Sequence, residues 1–384
     1  MKLGFFTMPI HPLGRDYSET LQEDRELAIL ADQLGFVDGF FGEHFTDAAE
    51  NITSSLIFIA WLLEATERIR LGTGTLNLPN HHPARLAAEV AMVDNMAKGR
   101  FLMGISPGGL PSDAEAMGNL DRDRNAMFLE CINQVLEIWT SEPPYNIKGE
   151  YWNVDIDRTQ IPDIGQGRIL RPYQKPHPPI VVTAVAPFSK GVAAAAARGW
   201  DPISANFLQP KWVKTHWPQY EDGCLTGNRV ADPANWRVAK SIFVADSEEK
   251  ARNYALAEDG PYYFYYRSLF TKLVKAGRAN LFKTDRHQAD EDLDLDTIVR
   301  QLIIFGTPQS VTDQLLSFRD EIGPFGTLLY AGHDWKDKKL AVRSMELMAT
   351  DVIPAINAAV GELSLIHISE PTRPLYISYA VFCL

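Results

Sequence analysis

The sequence predicts an α/β protein folded as a (β/α)8 TIM barrel with insertions. Short apolar runs alternate with amphipathic segments along the 384 residues, and parallel strands need such crossovers of a dozen or more residues. Eight predicted strands, each with a helix, give the number that closes this barrel. An open doubly wound sheet is the alternative, but the sequence has no GxGxxG or GxxxxGK[ST] motif to support it.

Four strand–helix units occupy the first 140 residues. We predict strands at 2–7, 38–43, 69–75 and 100–106. The first helix has apolar residues at helical spacing between 27 and 34, Ser18 as its N-cap and Gly35 at its end. Further helices are predicted at about 54–66, from Pro83 to just before Gly99, and at 124–140.

Two segments interrupt the alternation in the second half of the chain. Residues 141–178 are rich in Pro, Gly and Tyr, and residues 250–300 contain PYYFYYRSLF and DEDLDLD. We predict both segments as irregular insertions. Strands are predicted at 179–185, 201–206, 238–245 and 326–331, with a last helix ending near Val360. Residues 1–362 are therefore expected to form one domain.

The last segment, 363–384, continues no part of this pattern, because it follows a complete final helix. It resembles translated sequencing-adapter read-through, so we expect it not to belong to the natural fold. An ordinary flexible terminus is the alternative.

Composition excludes several classes of function. The chain has 37 Lys+Arg against 49 Asp+Glu, a net charge of −12, which argues against nucleic acid or a membrane surface as a partner. Its three cysteines show no metal-ligand spacing, and no apolar stretch approaches the ~20 residues of a membrane span. We therefore expect a cytoplasmic protein without a structural metal.

In a barrel of this type, catalytic residues lie just after the strands. The residues at these predicted positions are rich in Gly, Ser, Thr and aromatic side chains, and poor in paired carboxylates. Glycoside hydrolysis needs two such carboxylates, so the sequence argues against that chemistry.

Three motifs carry a family resemblance. GEHFTD at 42–47, LGTGTLNLPNHHPARLAAEVAMVDNMAKGRFLMGISPGG at 71–109 and the 118–140 helix after DAEAMG resemble the bacterial-luciferase-like flavin-dependent monooxygenases. HPLG at 11–14, SPGGLPSDAEAMG at 106–118 and LLYAGHDW at 328–335 are most similar to the limonene and alkanal monooxygenase branch. The resemblance implies an oxidoreductase that uses reduced FMN (FMNH2) and O2 to oxygenate a small apolar substrate of terpene, aldehyde or ketone type. It also implies a homodimer and a separate NAD(P)H:flavin reductase that supplies FMNH2.

The resemblance implies two catalytic residues, His44 and Ser106. An imidazole with a pKa of about 6.5 exchanges protons near neutral pH, and the small Ser106 leaves room beside the reactive flavin carbon. The alternative for His44 is a core histidine that binds a backbone carbonyl.

The resemblance also implies the residues that bind the flavin. Gly74 and Thr75 are expected beneath the ring system, because small residues let the backbone approach a flat ring closely. By the same resemblance, a cis peptide bond is expected between them. Glu43 and Asn77 are expected beside them.

The phosphate site departs from the luciferase pattern. Pro107 stands where luciferase has an arginine, so the phosphate must be bound elsewhere. Val185, Ala186 and Ser189 precede an Ala-rich helix, whose N-terminus is suited to an anion. Arg124 is a further candidate.

The substrate pocket should be apolar. Its predicted lining residues are Phe45, Leu110, Phe207, His333 and Trp335, each of which could instead belong to the core. His333 and Asp334 either orient a ligand or cap the following helix.

Two other functions remain open at this point. One is a deazaflavin-dependent oxidoreductase on the same barrel. The other is a flavin-binding protein without catalytic activity.

Overall fold

The structure is a computed structural model that describes residues 1–8, 10–285 and 287–368, with side chains up to residue 361. The strands are β1 (Lys2–Thr7), β2 (Asp38–Phe41), β3 (Arg70–Thr73), β4 (Leu76–Asn77), β5 (Phe101–Ser106), β6 (Tyr145–Ile147), β7 (Val154–Ile156), β8 (Ile180–Ala184), β9 (Asp201–Ser204), β10 (Arg237–Val244), β11 (Ile303–Gly306) and β12 (Thr327–Gly332).

The helices surround these strands. They are α1 (Tyr17–Gln33), α2 (Ser55–Leu63), α3 (Pro83–Ala97), α4 (Pro111–Ala116), α5 (Arg124–Thr140), α6 (Lys190–Ala197), α7 (Pro210–Val213), α8 (His216–Thr226), α9 (Glu248–Ala255), α10 (Pro261–Lys275), α11 (Leu295–Leu302), α12 (Pro308–Ile322), α13 (Lys338–Leu347) and α14 (Ile353–Ile368). None of the helices in the described ranges combines the length and the apolar character that crossing a membrane requires.

Eight parallel strands close into a barrel in the order β10, β12, β1, β2, β3, β5, β8, β9 and back to β10. The closing pair has Arg237 opposite Ile203 and Val238 opposite Ser204. These are the eight strands predicted from the sequence, so the (β/α)8 fold is confirmed. The strands read as apolar runs because they are buried on both faces.

The barrel interior is filled by side chains from six strands. This inner layer consists of Phe40, Leu102, Val181, Ile203, Ala239 and Leu329. A second and larger apolar cluster lies between the barrel and the helices. The barrel is therefore a packed core, and its functional surface is confined to the strand ends.

Buried charges bridge the amino-terminal end of the barrel. Arg70 and Arg237 each donate from Nε to the buried Asp38, over 2.7 and 2.8 Å. All three are the first residues of their strands. Since β2 and β10 are not neighbours in the sheet, the Asp38–Arg237 pair spans the bottom of the barrel.

The predicted strand 69–75 is interrupted, and the interruption shapes the opposite end. Thr73 Oγ1 donates to the carbonyl of Gly104 over 2.7 Å and accepts from its N–H over 2.9 Å. A Cβ on Gly104 would lie 1.9 Å from the carbonyl oxygen of Thr73, so only glycine fits. The Gly74–Thr75 peptide bond that follows is cis, as predicted.

The prediction that residues 250–300 are irregular was wrong. This segment contains α9, α10 and α11, and α10 is the aromatic segment, with Tyr262, Tyr263, Tyr265 and Tyr266 buried. Tyrosine has modest helix propensity, so burial of one helix face outweighs it here. After α11, β11 adds a parallel strand to the carboxyl half of β10, outside the barrel.

Smaller differences lie at the element ends. Asp16, rather than Ser18, caps α1, and its carboxylate accepts from the N–H groups of Ser18 and Glu19. Residues 141–178 contain only the β6–β7 hairpin and one short helical turn. Of the predicted tail 363–384, residues 363–368 continue α14 and the rest lies outside the described residues, so the tail remains a prediction.

Candidate active site at the carboxyl ends of the strands

His44 follows β2 and is bound by a carboxylate from another element. Its Nδ1 donates to Oδ2 of Asp113 on α4 over 2.7 Å. The N–H and the hydroxyl of Thr46 donate to Oδ1 of Asp113 over 3.0 and 2.5 Å. The ring of His44 is therefore held by a carboxylate and not by a backbone carbonyl. Thr46 fixes the other oxygen of Asp113, so the carboxylate that orients His44 is itself held in place.

The carboxylate also sets the charge of the imidazole. Burial lowers the pKa of His44, but the hydrogen bond to Asp113 and the nearby Glu50 outweigh burial, so the pKa is raised. For Asp113, burial raises the pKa, but the bonds from His44 and Thr46 bring it below its usual value. Each group thus stabilises the charged form of the other, which suits a histidine that holds a proton for transfer.

Glu43 joins the strand ends. Its Oε2 accepts from the N–H and hydroxyl of Ser55 over 2.9 and 2.7 Å, and its Oε1 lies 3.3 Å from the N–H of Asn77 and 3.4 Å from Nε2 of His81. Burial raises the pKa of Glu43, but the bonds from His81 and Ser55 outweigh it and the pKa is lowered. Oε2 thus fixes the carboxylate to the start of α2, and Oε1 accepts from the backbone N–H of Asn77.

Thr75, Asn77 and Ser106 form one hydrogen-bonded group. The hydroxyl of Thr75 donates to Ser106 Oγ over 2.8 Å, and Ser106 Oγ donates to Oδ1 of Asn77 over 3.0 Å. Gly108 N–H donates to the same Ser106 oxygen over 3.2 Å, and Arg124 donates to the Gly108 carbonyl over 3.3 Å. The structure thus brings Thr75, Asn77, Ser106 and Arg124 into one network beside the cis peptide bond.

The segment after β8 is held by α8. The Nε2–H of His216 donates to the carbonyl of Ala186 over 3.1 Å, and Thr215 Oγ1 accepts from Phe188 N–H over 2.9 Å. Ser204 Oγ lies 2.9 Å from Nδ1 of His216 and accepts from Trp236 Nε1 over 2.9 Å, so its proton points to Nδ1. Burial lowers the pKa of His216 to about 4; the ring is neutral, as the accepting Nδ1 requires.

This segment leads into the N-terminus of α6. Ser189 is the N-cap, and its hydroxyl accepts from Val192 N–H over 3.3 Å. In the described part of the chain, the N–H groups of Lys190 and Gly191 have no hydrogen-bond acceptor. Two free N–H groups at the positive end of a helix suit a phosphate, so the predicted residues Val185, Ala186 and Ser189 lie where they could bind one.

The predicted substrate residues lie in different surroundings. Phe45 lines a cavity of about 200 Å³ together with Glu43, Asn77 and His81, whereas Leu110 immediately precedes α4. Phe207 packs against Phe282, with ring centroids 6.3 Å apart. Trp335 lies against α1, where its backbone N–H donates to Glu23 over 2.6 Å.

His333 lies at the end of β12 between two tyrosine rings. Its ring is 4.5 Å from Tyr262 and 4.6 Å from Tyr265, and its Nε2 is 3.2 Å from Ser241 Oγ. Burial lowers the pKa of His333 to about 3, so the ring is uncharged. Asp334 does not cap the following helix, because Asp337 does so.

The chain is similar to known proteins over most of its length. A family model described as luciferase-like monooxygenase matches residues 1–323. The chain belongs to the luciferase-like monooxygenase family. This confirms the family predicted from the motifs.

Curated relatives of this luciferase-like monooxygenase are aligned along nearly their whole length. 4-Hydroxyprotoasukamycin monooxygenase of Streptomyces nodosus subsp. asukaensis is 31% identical over 94% of this chain and 93% of its own. Limonene 1,2-monooxygenase of Rhodococcus erythropolis is 26% identical over 93% and 87%. The branch predicted from the sequence, that of limonene monooxygenase, is therefore among the relatives.

Solved structures show the same fold. The oxygenating constituent of 3,6-diketocamphane monooxygenase from Pseudomonas putida, a type II Baeyer-Villiger monooxygenase solved with FMN, is 26% identical with a TM-score of 0.81, covering 93% of this chain and 98% of that one. An F420-dependent secondary alcohol dehydrogenase, 18% identical with a TM-score of 0.67 over 93% and 99%, shares the fold alone.

Sequence reasoning missed the residues that hold the predicted site residues in place. Asp113 stands within the motif SPGGLPSDAEAMG, where an acidic residue just after a helix-opening proline is a usable signal. His216 and Thr215 carry no such signal, because their contacts with Ala186 and Phe188 depend on how α8 packs against the barrel.

Proposed function

We propose that this protein is the oxygenase component of a two-component system that uses reduced FMN and O2 to oxygenate a small apolar substrate. The observation that carries the proposal is the continuous network of Glu43, Asn77, Ser106 and Thr75 beside the His44–Asp113 pair. This network lies where barrel enzymes bind their substrates. A separate NAD(P)H:flavin reductase would supply the reduced flavin.

The residues present are compatible with FMN. The small side chains of Gly74, Thr75 and Ser106 leave a flat ring close access to the backbone, and Asn77 and Thr75 supply polar atoms at the ring edge. The free N–H groups at the start of α6 would hold the phosphate, with His216 and Thr215 fixing the preceding loop. When bound, reduced FMN would supply the electrons that activate O2.

The protein residues contribute proton handling and exclusion of water. His44 holds a proton between Asp113 and the mouth of the barrel, and this proton is the natural source for the oxygen atom that leaves as water. Ser106, a small residue, leaves room beside the ring and places a hydroxyl there. Helices α4 and α10 cover this side of the barrel, and shielding from water is a common role for such segments.

Anaerobic titration followed by oxygen tests the proposal. We expect reduced FMN to bind more tightly than reduced deazaflavin, and the complex, given 18O2 and a terpene, aldehyde or cyclic ketone, to place one labelled atom in the product. A mass spectrum without label in any product, despite FMN binding, would contradict the proposal and favour a flavin-binding protein without catalytic activity. Preferential binding of the deazaflavin, with hydride transfer and no oxygen uptake, would favour the alternative oxidoreductase, whose barrel this chain shares.

The His44→Gln variant tests the proposed role of His44. It retains a polar side chain but cannot hold the transferable proton. We expect flavin binding to persist and product formation to fall by about 100-fold or more, in line with the usual contribution of a positioned acid or base. Unchanged turnover in this variant would remove His44 from the mechanism.

A further inference from the structure

The charged groups near Nε2 of His44 have no part in the function proposed above. Nδ1 of His44 is bound by Asp113, and Nε2 lies 3.9 Å from Oε2 of Glu50. This distance is too long for a hydrogen bond. Glu50 is only 3% exposed, and its Oε2 has no hydrogen-bond partner within the described residues.

The other oxygen of Glu50 is paired. Nζ of Lys272, on α10, lies 2.5 Å from Oε1 of Glu50 and 2.5 Å from Oδ2 of Asp47. A buried carboxylate oxygen without a donor costs free energy, because nothing replaces its lost hydration. In the described structure the cationic partners of Glu50 are Lys272 and His44, so the orphan oxygen has His44 as its compensating group.

We propose that Glu50 is a positioning residue for His44, whose unpaired oxygen keeps a proton on Nε2 of the imidazole. Asp113, His44, Glu50 and Lys272 then form a row of alternating charge in which each group faces a partner of opposite sign. With Nδ1 committed to Asp113, Nε2 carries the proton that remains available to the site.

The electrostatics agree with this geometry. Burial lowers the pKa of His44, whereas Asp113 and Glu50 raise it and Lys272 lowers it. Asp47 faces the same cluster through Lys272. Glu50 and Lys272 therefore act on His44 with opposite sign, and this difference makes the proposal testable.

The row also connects the insertion helix to the catalytic candidate. Lys272 belongs to α10, while Glu50 and Asp47 belong to the loop after β2. If Lys272 moves away from Glu50, the full negative charge acts on the imidazole, and the affinity of His44 for its proton increases. The inference rests on the proposed role of His44, but it can be tested in flavin-free protein.

Histidine-labelled, flavin-free protein provides the measurement. Two-dimensional NMR through a pH titration gives the midpoint of His44, whose signal is assigned by its loss in His44→Gln. Glu50→Gln, which retains the shape of the side chain, should lower the midpoint by about one pH unit. Lys272→Met should raise it.

Asp47→Asn is the matched control, because it removes the second carboxylate on Lys272 and leaves Glu50 intact. Its midpoint should move less than half as far as that of Glu50→Gln. An unchanged midpoint in Glu50→Gln, or movement of Glu50→Gln and Lys272→Met in the same direction, would overturn the proposal. If Glu50→Gln does not fold, Lys272→Met decides alone: a raised midpoint supports the proposal, and an unchanged or lowered one overturns it. Because no flavin is present, this failure is distinguishable from a failure of the oxygen-transfer assay.

Discussion

At the scale of single residues, two buried histidines differ in charge because their ring nitrogens contact different groups. His11 has Nδ1 2.7 Å from Asp334 and Nε2 3.0 Å from Asp24, so both nitrogens donate to carboxylates and the ring is cationic. His216 donates from one nitrogen and accepts at the other, so its ring is neutral. Contacts, more than residue type, decide what each histidine can do.

His11 predicts a pH dependence of stability. Burial lowers its pKa, but the bonds to Asp24 and Asp334 outweigh burial and raise the pKa to about 9. A folded-state pKa above the unfolded value gives stabilisation that is complete below pH ~6.5 and lost as the pH rises towards 9. We expect His11→Gln to lose roughly 2–3 kcal/mol of unfolding free energy at pH 6 and much less at pH 9.

Urea unfolding at both pH values measures this effect. His287→Gln, at an exposed histidine, is the control and should unfold like the parent protein. Equal losses for His11→Gln at pH 6 and pH 9 would contradict the assigned charge of His11.

His216 predicts a selective effect on flavin binding. His216→Ala frees the Ala186 carbonyl and loosens the loop before α6, so the affinity for FMN should fall by about tenfold. Riboflavin, which has no phosphate, should bind with an affinity changed by less than about twofold, because the loop is proposed to contact the phosphate.

Quenching of flavin fluorescence gives both dissociation constants. Thr226→Ala, at the exposed far end of α8, is the control and should leave both unchanged. An equal loss of FMN and riboflavin affinity in His216→Ala would place the effect of His216 away from the phosphate.

At the scale of elements, the break between β3 and β4 depends on one close approach. Thr73 replaces backbone pairing with two side-chain hydrogen bonds to Gly104, and it does so immediately before Gly74 and Thr75. The position of the site residues thus depends on a strand irregularity that apolar periodicity does not reveal.

Gly104→Ala tests this dependence. Its Cβ would meet the Thr73 carbonyl at 1.9 Å, so the strands must separate, and we expect a loss of about 2–4 kcal/mol of unfolding free energy. Gly109→Ala is the control, because its Cβ would meet no atom within 4 Å. Thermal unfolding of the two variants side by side gives the comparison; similar melting temperatures would contradict the close approach.

The insertion shows how element prediction fails. Residues 250–300 have no clean alternation, and PYYFYYRSLF suggests no helix by propensity. In the structure, α10 buries Tyr262, Tyr265 and Tyr266 against the barrel and presents Lys272 to the β2 loop. Tertiary burial decided the helix, and the same packing brought Lys272 to the site.

At the scale of the whole molecule, the two ends of the barrel are built differently. The amino-terminal end is fixed by the Asp38–Arg237 pair across strands that are not neighbours. The carboxyl end carries the hydrogen-bonded site. The candidate site residues are thereby confined to the carboxyl end, as is usual for this fold.

Arg237→Met tests the lower end. Asp38 is fully buried and would keep only Arg70, so we expect a loss of roughly 2–3 kcal/mol of unfolding free energy, less than for a fully unpaired buried charge. Arg343→Met, which breaks an exposed pair with Asp246, should change stability little. The unfolding free energies of both variants decide the point. A loss in Arg343→Met as large as that in Arg237→Met would remove the special role of the buried pair.

The sequence by itself determined the eight barrel strands, the family, the cis bond at Gly74–Thr75 and the strand ends that carry His44, Asn77 and Ser106. The strands follow from apolar periodicity, which is a property of consecutive residues, whereas the cis bond and the site residues follow from the resemblance of the motifs to a known family. The tertiary structure alone decided which groups face those residues: Asp113 and Glu50 for His44, and His216 for Ala186. Partners separated by up to 69 residues meet only when helices dock on the barrel, and the charge of each histidine follows from that docking.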